Sequence, residues 1–438
     1  MLQTLARRTE FLTVLRNRNY RFYYTGMLSS VTGQQMYHAT QLWLVYYLTG
    51  SPATLGWVAG VQAIPGLVLM LFFSALADRV NPKKIIIMGE AAAALFMAVL
   101  ATLIVTGLVQ VWHIVVIAFL TSLANSLDHP ARRVTWAHLV PREQYIYAIS
   151  LNQTIWNGTR IFAPGLAGLI VATVASATGD EELGLGVSHY VSFLGFLAMA
   201  VAIGMIRLPQ ITRSTGATVL HDIVEGLAYV KRNSVFIHLM GLYFVAGFFG
   251  HGYTVLMPLF AGEYLGVGVG EFGVLLAVTG AGGIVGTFGV ASFGRYQNRP
   301  WLILGGSMLS GVGLVLFATT SALLHSYPLA LVLLFLIGAT SSVFMVAAGT
   351  VINLLVRDEY RGRVMGLRGL MWSLIPLGGL QAGLLASVIG APLTIVLNGA
   401  VVIAFTLLAY VFSREIRNLR HLAPEATRAG PTLERADG

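Results

Sequence analysis

Residues 139–156, LVPREQYIYAISLNQTIW, return at residues 355–372 as LVRDEYRGRVMGLRGLMW. Both stretches open with Leu-Val and close on Trp, and they lie 216 positions apart. The same offset joins RNRNY (16–20) to RNSVF (232–236), and DRVNPKKIIIMG (78–89) to GRYQNRPWLILG (294–305). Three matches in one register, separated by long apolar runs, describe a chain written twice.

Composition decides the solvent around that repeat. The 438 residues are 56% hydrophobic and 10% charged, with mean hydropathy +0.76. Soluble domains carry about 25% charged residues, and a water-soluble fold this apolar would expose large sticky patches. A helix needs about 20 apolar residues to cross the hydrocarbon core. Twelve such runs are read at 20–48, 54–76, 84–106, 110–128, 147–175, 188–206, 236–261, 272–293, 301–320, 328–350, 365–388 and 392–412. Barrel strands would be about 10 residues long with alternating polarity.

Of the 27 Lys and Arg residues, all but Arg160 fall in alternate connecting segments. The intervening loops, such as TGDEELGLGVSH (178–189), hold none. That is the positive-inside bias. It predicts cytoplasmic termini at the inner membrane and assigns the net charge of +9 to topology rather than to nucleic acid. The first run is too long for a cleaved signal peptide. With no Cys, disulfide and thiolate chemistry are excluded.

The expected fold is an all-α membrane protein, twelve transmembrane helices in two pseudo-symmetric six-helix bundles. Parallel six-helix repeats related about the membrane normal mark one transporter architecture. The bundles are expected at 1–206 and 236–413, a cytoplasmic linker at 207–235 and a disordered tail at 414–438. In the linker, Val219, Ile223, Leu227 and Val230 recur at helical spacing. They describe either an interfacial amphipathic helix or a packed cytoplasmic one.

SALADRVNPKKII (74–86) resembles the signature loop of the major facilitator superfamily, Gly-x-x-x-Asp-Arg-x-Gly-Arg-Arg or Lys-Lys. Asp78, Arg79, Lys83 and Lys84 match; Ser74 stands in place of the leading Gly. The resemblance implies a latch in which Asp78 engages the positive N-terminal end of the eleventh helix. RGRVMG (361–366) offers Arg361 and Arg363 as partners, and the latch would hold the outward-facing state. The second-half copy has Gly294 instead of Asp, so the latch is one-sided. Residues 128–168 further resemble exporters of the enterobactin and macrolide-efflux type. Pro130-Ala131-Arg132, Leu139-Val140-Pro141, Ala148–Asn152, and Arg160, Pro164 and Gly168 carry that likeness. It implies export of an amphipathic small molecule, a drug or siderophore-like metabolite, by alternating access coupled to protons. The fifth helix also resembles the antiporter motif, with Ala163 where Gly precedes Pro, whereas the Arg of drug antiporters is missing from VWHIVVIAFLTSLANSLD (111–128).

Arg160 lies about 20 Å along the fifth helix from Tyr147, at 1.5 Å per residue. An Arg at that depth costs about 2.5–3.5 kcal/mol on insertion scales. It should face protein or water, either lining a central cavity and attracting acidic or carbonyl groups of the cargo, or held in a static interhelical pair. Asn152, Trp156 and Arg160 recur at i, i+4 and i+8, flanked by Gln153 and Asn157. Gln34, His38 and Gln41 in the first helix, Thr121 and Asn125 in the fourth, His251 and Tyr253 in the seventh, and Ser341 and Ser342 in the tenth are further cavity candidates, since the resemblance implies that these helices line the path. Glu90, Asp128, His38 and His251 are the candidates for proton coupling, although Glu90 could instead pair with an Arg near the cytoplasmic side. Gly282 and Gly286 form a small-xxx-small pair; with Pro164 and Gly168 they suggest a sliding contact between the halves. No metal-spaced His and carboxylate cluster, nucleophile elbow or Walker loop appears in the sequence, so no cofactor and no enzyme activity are expected. The expected partners are a small-molecule substrate and membrane lipid, for a monomer. A nutrient importer of the same fold or a membrane receptor are the alternatives.

Overall fold

A computed structural model describes residues 13–77, 81–207, 219–293 and 299–417. Among them the chain is helical throughout its long elements. In the first half these are α1 (Arg18–Thr49), α2 (Pro52–Ala77), α3 (Pro82–Val105), α4 (Val111–Ala137), α5 (Tyr145–Thr178) and α6 (Glu181–Met205). A linker helix follows, α7 (Val219–Arg232). The second half has α8 (Ser234–Phe248), α9 (Tyr253–Leu259), α10 (Val269–Phe293), α11 (Arg299–Leu324), α12 (Tyr327–Leu355), α13 (Asp358–Ser373), α14 (Ile375–Ile389) and α15 (Ala391–Phe412). Among the described residues, ten stretches are long and apolar enough to cross a membrane. Met88, Leu194, Phe288, Leu323 and Val388 stand exposed, as lipid-facing side chains do.

Local chemistry sets the helix ends. The Asn17 side chain accepts from the amides of Asn19 (2.9 Å) and Tyr20 (3.3 Å), capping α1. Gly50 then closes α1 at φ 57°, a left-handed turn suited to glycine. In the loop that resembles the superfamily signature, Asn81 caps α3 through the Lys83 amide (2.9 Å), and Pro82 opens it. Lys83 turns back and donates to the carbonyls of Gly204 (2.9 Å) and Ile206 (2.6 Å), at the end of α6. A cation at a helix C-terminus is well placed for the helix dipole.

Three expected boundaries move. The fourth span runs past Asp128 and Pro130 to Ala137, so Arg132 lies inside a helix rather than in a loop. The seventh is interrupted between Phe248 and Tyr253 and ends in a π-helical turn, Phe260–Tyr264. The eleventh breaks at Leu374, just before Pro376, which has no amide proton to continue the ladder.

Within the first half α1 packs on α5 and α6, α3 on α4 and α6, and α2 on α4. In the second half α12 packs on α10 and α11, and α15 on α11. Two seams join the halves: α5 against α10, and α2 against α14. Both are built on missing side chains. A methyl group at Gly168 would lie 2.7 Å from the Val269 carbonyl oxygen, and one at Gly383 would lie 2.5 Å from that of Pro52. Both seams are tight at the end away from the basic segments, where α2 and α10 begin and α5 and α14 finish.

The linker helix is docked. Tyr229 stacks on Tyr360 of α13 with ring centroids 4.5 Å apart, and Arg363 pairs with Glu225 at 2.7 Å. Val224 and Leu227 remain exposed, so the helix has both a packed face and an apolar outer face. Of the tail expected to be disordered, 414–438, the first four residues instead form a short helix, Arg414–Arg417, that buries Ile416, and 418–438 lie outside the described residues.

Candidate functional site: a chamber between the halves and a buried ion cluster

Two adjoining cavities, about 540 and 410 Å³, lie between the halves. They share Asn157, Arg160, His251, Thr287, Ser341, Ser342 and Trp372, and so form one chamber. The larger part is lined by Leu42, Val255, Leu276 and Ile284 together with His38, Gln41 and Tyr253. The smaller part runs toward the basic segments past Gln153, Asn353 and Arg368.

Helix geometry explains which polar residues arrive there. On α5, Gln153, Asn157, Arg160 and Pro164 lie on the chamber face. Arg160 keeps accessible surface at its depth because that face meets a void rather than a neighbour. The backbone behind it is pinned: a methyl at Gly280 of α10 would lie 2.6 Å from the Arg160 carbonyl oxygen. Among the described residues no ion pair engages Arg160. A static interhelical pair is therefore not what the geometry holds. On α1 a short polar chain forms: Gln62 donates to the Gln41 side-chain oxygen (3.0 Å), and Gln41 to the Tyr37 hydroxyl (2.7 Å). Ser341 meets Ser310 at 2.8 Å.

Some expected lining residues sit elsewhere. Trp156 is half-buried with its ring 5.5 Å from His129, off the chamber. Gln34 is displaced by its neighbour Gln35, one residue round the α1 surface, and Asn125 does not reach the lining. Asn152 and Thr121 are buried among helices. Gly282 and Gly286 do not face α5. Methyl groups there would lie 2.0 and 2.1 Å from the carbonyls of Phe335 and Ala339 on α12, within the same half. It is Gly273 and Gly280 that meet α5, one helix face away. Sequence reading passed over Gln62, Asn353, Arg368 and Trp372. The repeat held a signal for two of them, since Arg368 and Trp372 occupy the register of Asn152 and Trp156.

Glu90 and Asp128 do not enter the chamber. They meet Arg132 in a separate cluster between α1, α3 and α4. The Arg132 guanidinium pairs with both carboxylates. It also donates to the Ser30 hydroxyl (2.9 Å), which donates on to Glu90 (2.9 Å). All four are at most 6% exposed. Gly89 permits this: a methyl there would lie 3.3 Å from the Ala124 carbonyl, so α3 and α4 run close. Two carboxylates face one guanidinium. His38 and His251 stay with the chamber, and the His251 ring lies 6.4 Å from that of Trp372.

Of the signature-loop residues, Asp78 and Arg79 lie outside the described residues. Lys84 is exposed, and Arg361 pairs with Asp358 at 2.6 Å on an exposed face. Among the described residues no group of three or more His, Cys, Asp or Glu could hold a metal.

Similar proteins agree with this architecture. A family model described as transmembrane secretion effector matches residues 9–436. Macrolide efflux protein A of Streptococcus pyogenes is 24% identical over 388 residues, covering 86% of this chain and 92% of that protein. The multidrug efflux pump Tap of Mycolicibacterium fortuitum is 28% identical over 361 residues, covering 80% and 84%. The staphyloferrin A transporter of Staphylococcus aureus is 22% identical over 377 residues, covering 86% and 91%. Among solved structures, a bacterial homologue of the human lysosomal transporter Spinster, inward-facing and occupied, superposes with TM-score 0.70 at 15% identity, covering 91% of this chain and 98% of that one. The chain thus belongs to the transmembrane secretion effector family of the major facilitator superfamily and is a multi-pass membrane transporter, not an enzyme.

Proposed function

We propose that this protein is a monomeric secondary exporter of the bacterial inner membrane that expels an amphipathic small molecule by alternating access. Twelve membrane-crossing helices form two six-helix bundles, 1–206 and 236–413, joined by the linker and with both termini cytoplasmic. The observation that carries this reading is the chamber shared by both halves, polar at its centre and sealed at one end by the two glycine seams. With the basic segments cytoplasmic, the sealed end is the outer one and the state is inward-facing. Rocking of one bundle against the other would part the seams and open the chamber outward.

Proton coupling is assigned to the Glu90–Asp128–Arg132 cluster. Burying an unpaired charge is expensive, so a cluster with one carboxylate in excess is neutral with one proton aboard. Movement of α4 against α1 and α3 would release it. The test is counterflow and pH-driven transport in proteoliposomes with a labelled panel of drugs and metabolites. Export supports the proposal; accumulation driven the other way would make the protein an importer, and binding without flux a receptor. Glu90→Gln is expected to leave counterflow intact while abolishing its acceleration by a pH gradient. A gradient response equal to the parent protein would remove the cluster from the mechanism.

A further inference from the structure

The chamber has a charge asymmetry. Among the described residues lining its two parts are two arginines, Arg160 and Arg368, and not one Asp or Glu. Neither arginine has an ion-pair partner among the described residues. Arg368 is also positioned. Its guanidinium occupies the space that a side chain at Gly349 would take: a methyl there would lie 2.4 Å from Nη1. The Tyr243 hydroxyl lies 3.8 Å from that same methyl position and donates to the Met345 carbonyl (3.2 Å). The buried Arg132, by contrast, is matched by two carboxylates. So this chain compensates a buried guanidinium where its role is internal, and leaves two uncompensated where the cargo passes.

We infer that the cargo is an anion, an amphiphile whose carboxylate, sulfonate or phosphate group is held by Arg160 and Arg368 in the smaller part of the chamber. Its apolar body lies in the larger part, against Leu42, Leu276 and Ile284. Guanidinium groups present paired donors matched to such anions, and a cationic cargo would meet like charge at each arginine with no acid to offset it. This rests on the exporter reading above and narrows its substrate class.

The test uses the full chain purified in detergent and two fluorescent probes followed by anisotropy, carboxyfluorescein (anionic) and ethidium (cationic). Carboxyfluorescein is expected to bind at least about tenfold more tightly than ethidium. Arg160→Gln and Arg368→Gln should each weaken it about tenfold or more while leaving ethidium binding no weaker, since each removes a charge of the same sign as ethidium. Arg160→Lys, which keeps the charge and loses the fork, should fall between. Ethidium binding as tightly as carboxyfluorescein, absence of carboxyfluorescein binding, or carboxyfluorescein binding indifferent to both Gln substitutions would each overturn the inference. Should a Gln variant fail to fold, the ratio of the two probes on the parent protein decides alone. The exporter reading fails separately: it falls if no compound of the panel shows counterflow, and it survives if cationic compounds are carried while anions are not.

Discussion

Arg132 and Arg160 both lie within helices of the first half, and their surroundings are opposite. Arg132 is enclosed by α1, α3 and α4 and bonded to Glu90, Asp128 and Ser30. Arg160 faces a void, with only its backbone held, through Gly280. The same side chain belongs to an ion cluster in one place and stands without an ion-pair partner among the described residues in the other. What separates them is the presence of carboxylates within reach, Asp128 one turn away on the same helix and Glu90 on α3.

The largest expected effect breaks the ion cluster. Arg132→Leu strands two carboxylates, and removing one partner of a buried pair destabilises by about 3–5 kcal/mol. Thermal unfolding followed by tryptophan fluorescence should show a markedly lower midpoint, and adding Glu90→Gln and Asp128→Asn should recover much of it. If Arg132→Leu melts like the parent protein, the contrast is void. Arg160→Ala should do the reverse, with a midpoint close to the parent and transport at least about tenfold slower. A charge-assisted hydrogen bond is worth about 1.5–3 kcal/mol, which is tenfold or more. Equal losses of stability in the two variants would erase the distinction.

Gly286→Val sharpens it from the packing side. The added bulk meets the α12 backbone and should destabilise by about 1–3 kcal/mol, the usual range for overpacking, with transport per folded molecule unchanged. Gly273→Val, on the seam with α5, should instead slow turnover. The smallest effect is expected from Gly349→Ala. Its methyl displaces only the flexible tip of Arg368, so carboxyfluorescein affinity should fall a few-fold, by anisotropy, without a shift in melting.

Much of this was legible in residue types and periods. Apolar run length gives the helices and the 216-residue register gives the internal repeat; of the i, i+4, i+8 row Asn152, Trp156 and Arg160 only Arg160 reaches the chamber, together with the flanking Gln153 and Asn157. What was hidden depends on partners from distant sequence. That Glu90 could pair with an arginine near the cytoplasmic side was readable, but which one was not: the pairing with Arg132 needs the close α3–α4 approach that Gly89 permits, and Arg132 read as a loop residue because the apolar run ended at Asp128. Arg368 was concealed in the same way, counted among basic loop residues although α13 carries it ten positions beyond Asp358. Gly282 and Gly286 had the right spacing for close packing, but spacing names no partner, and which of two helix faces meets α5 is settled only by packing.

The seams that seal the chamber join backbone to backbone across Gly168, Gly273, Gly56 and Gly383. Dispersion, not Coulomb attraction, holds such contacts, and dispersion has no Debye length. These backbone contacts between the halves are therefore insensitive to ionic strength, in dilute and concentrated media alike.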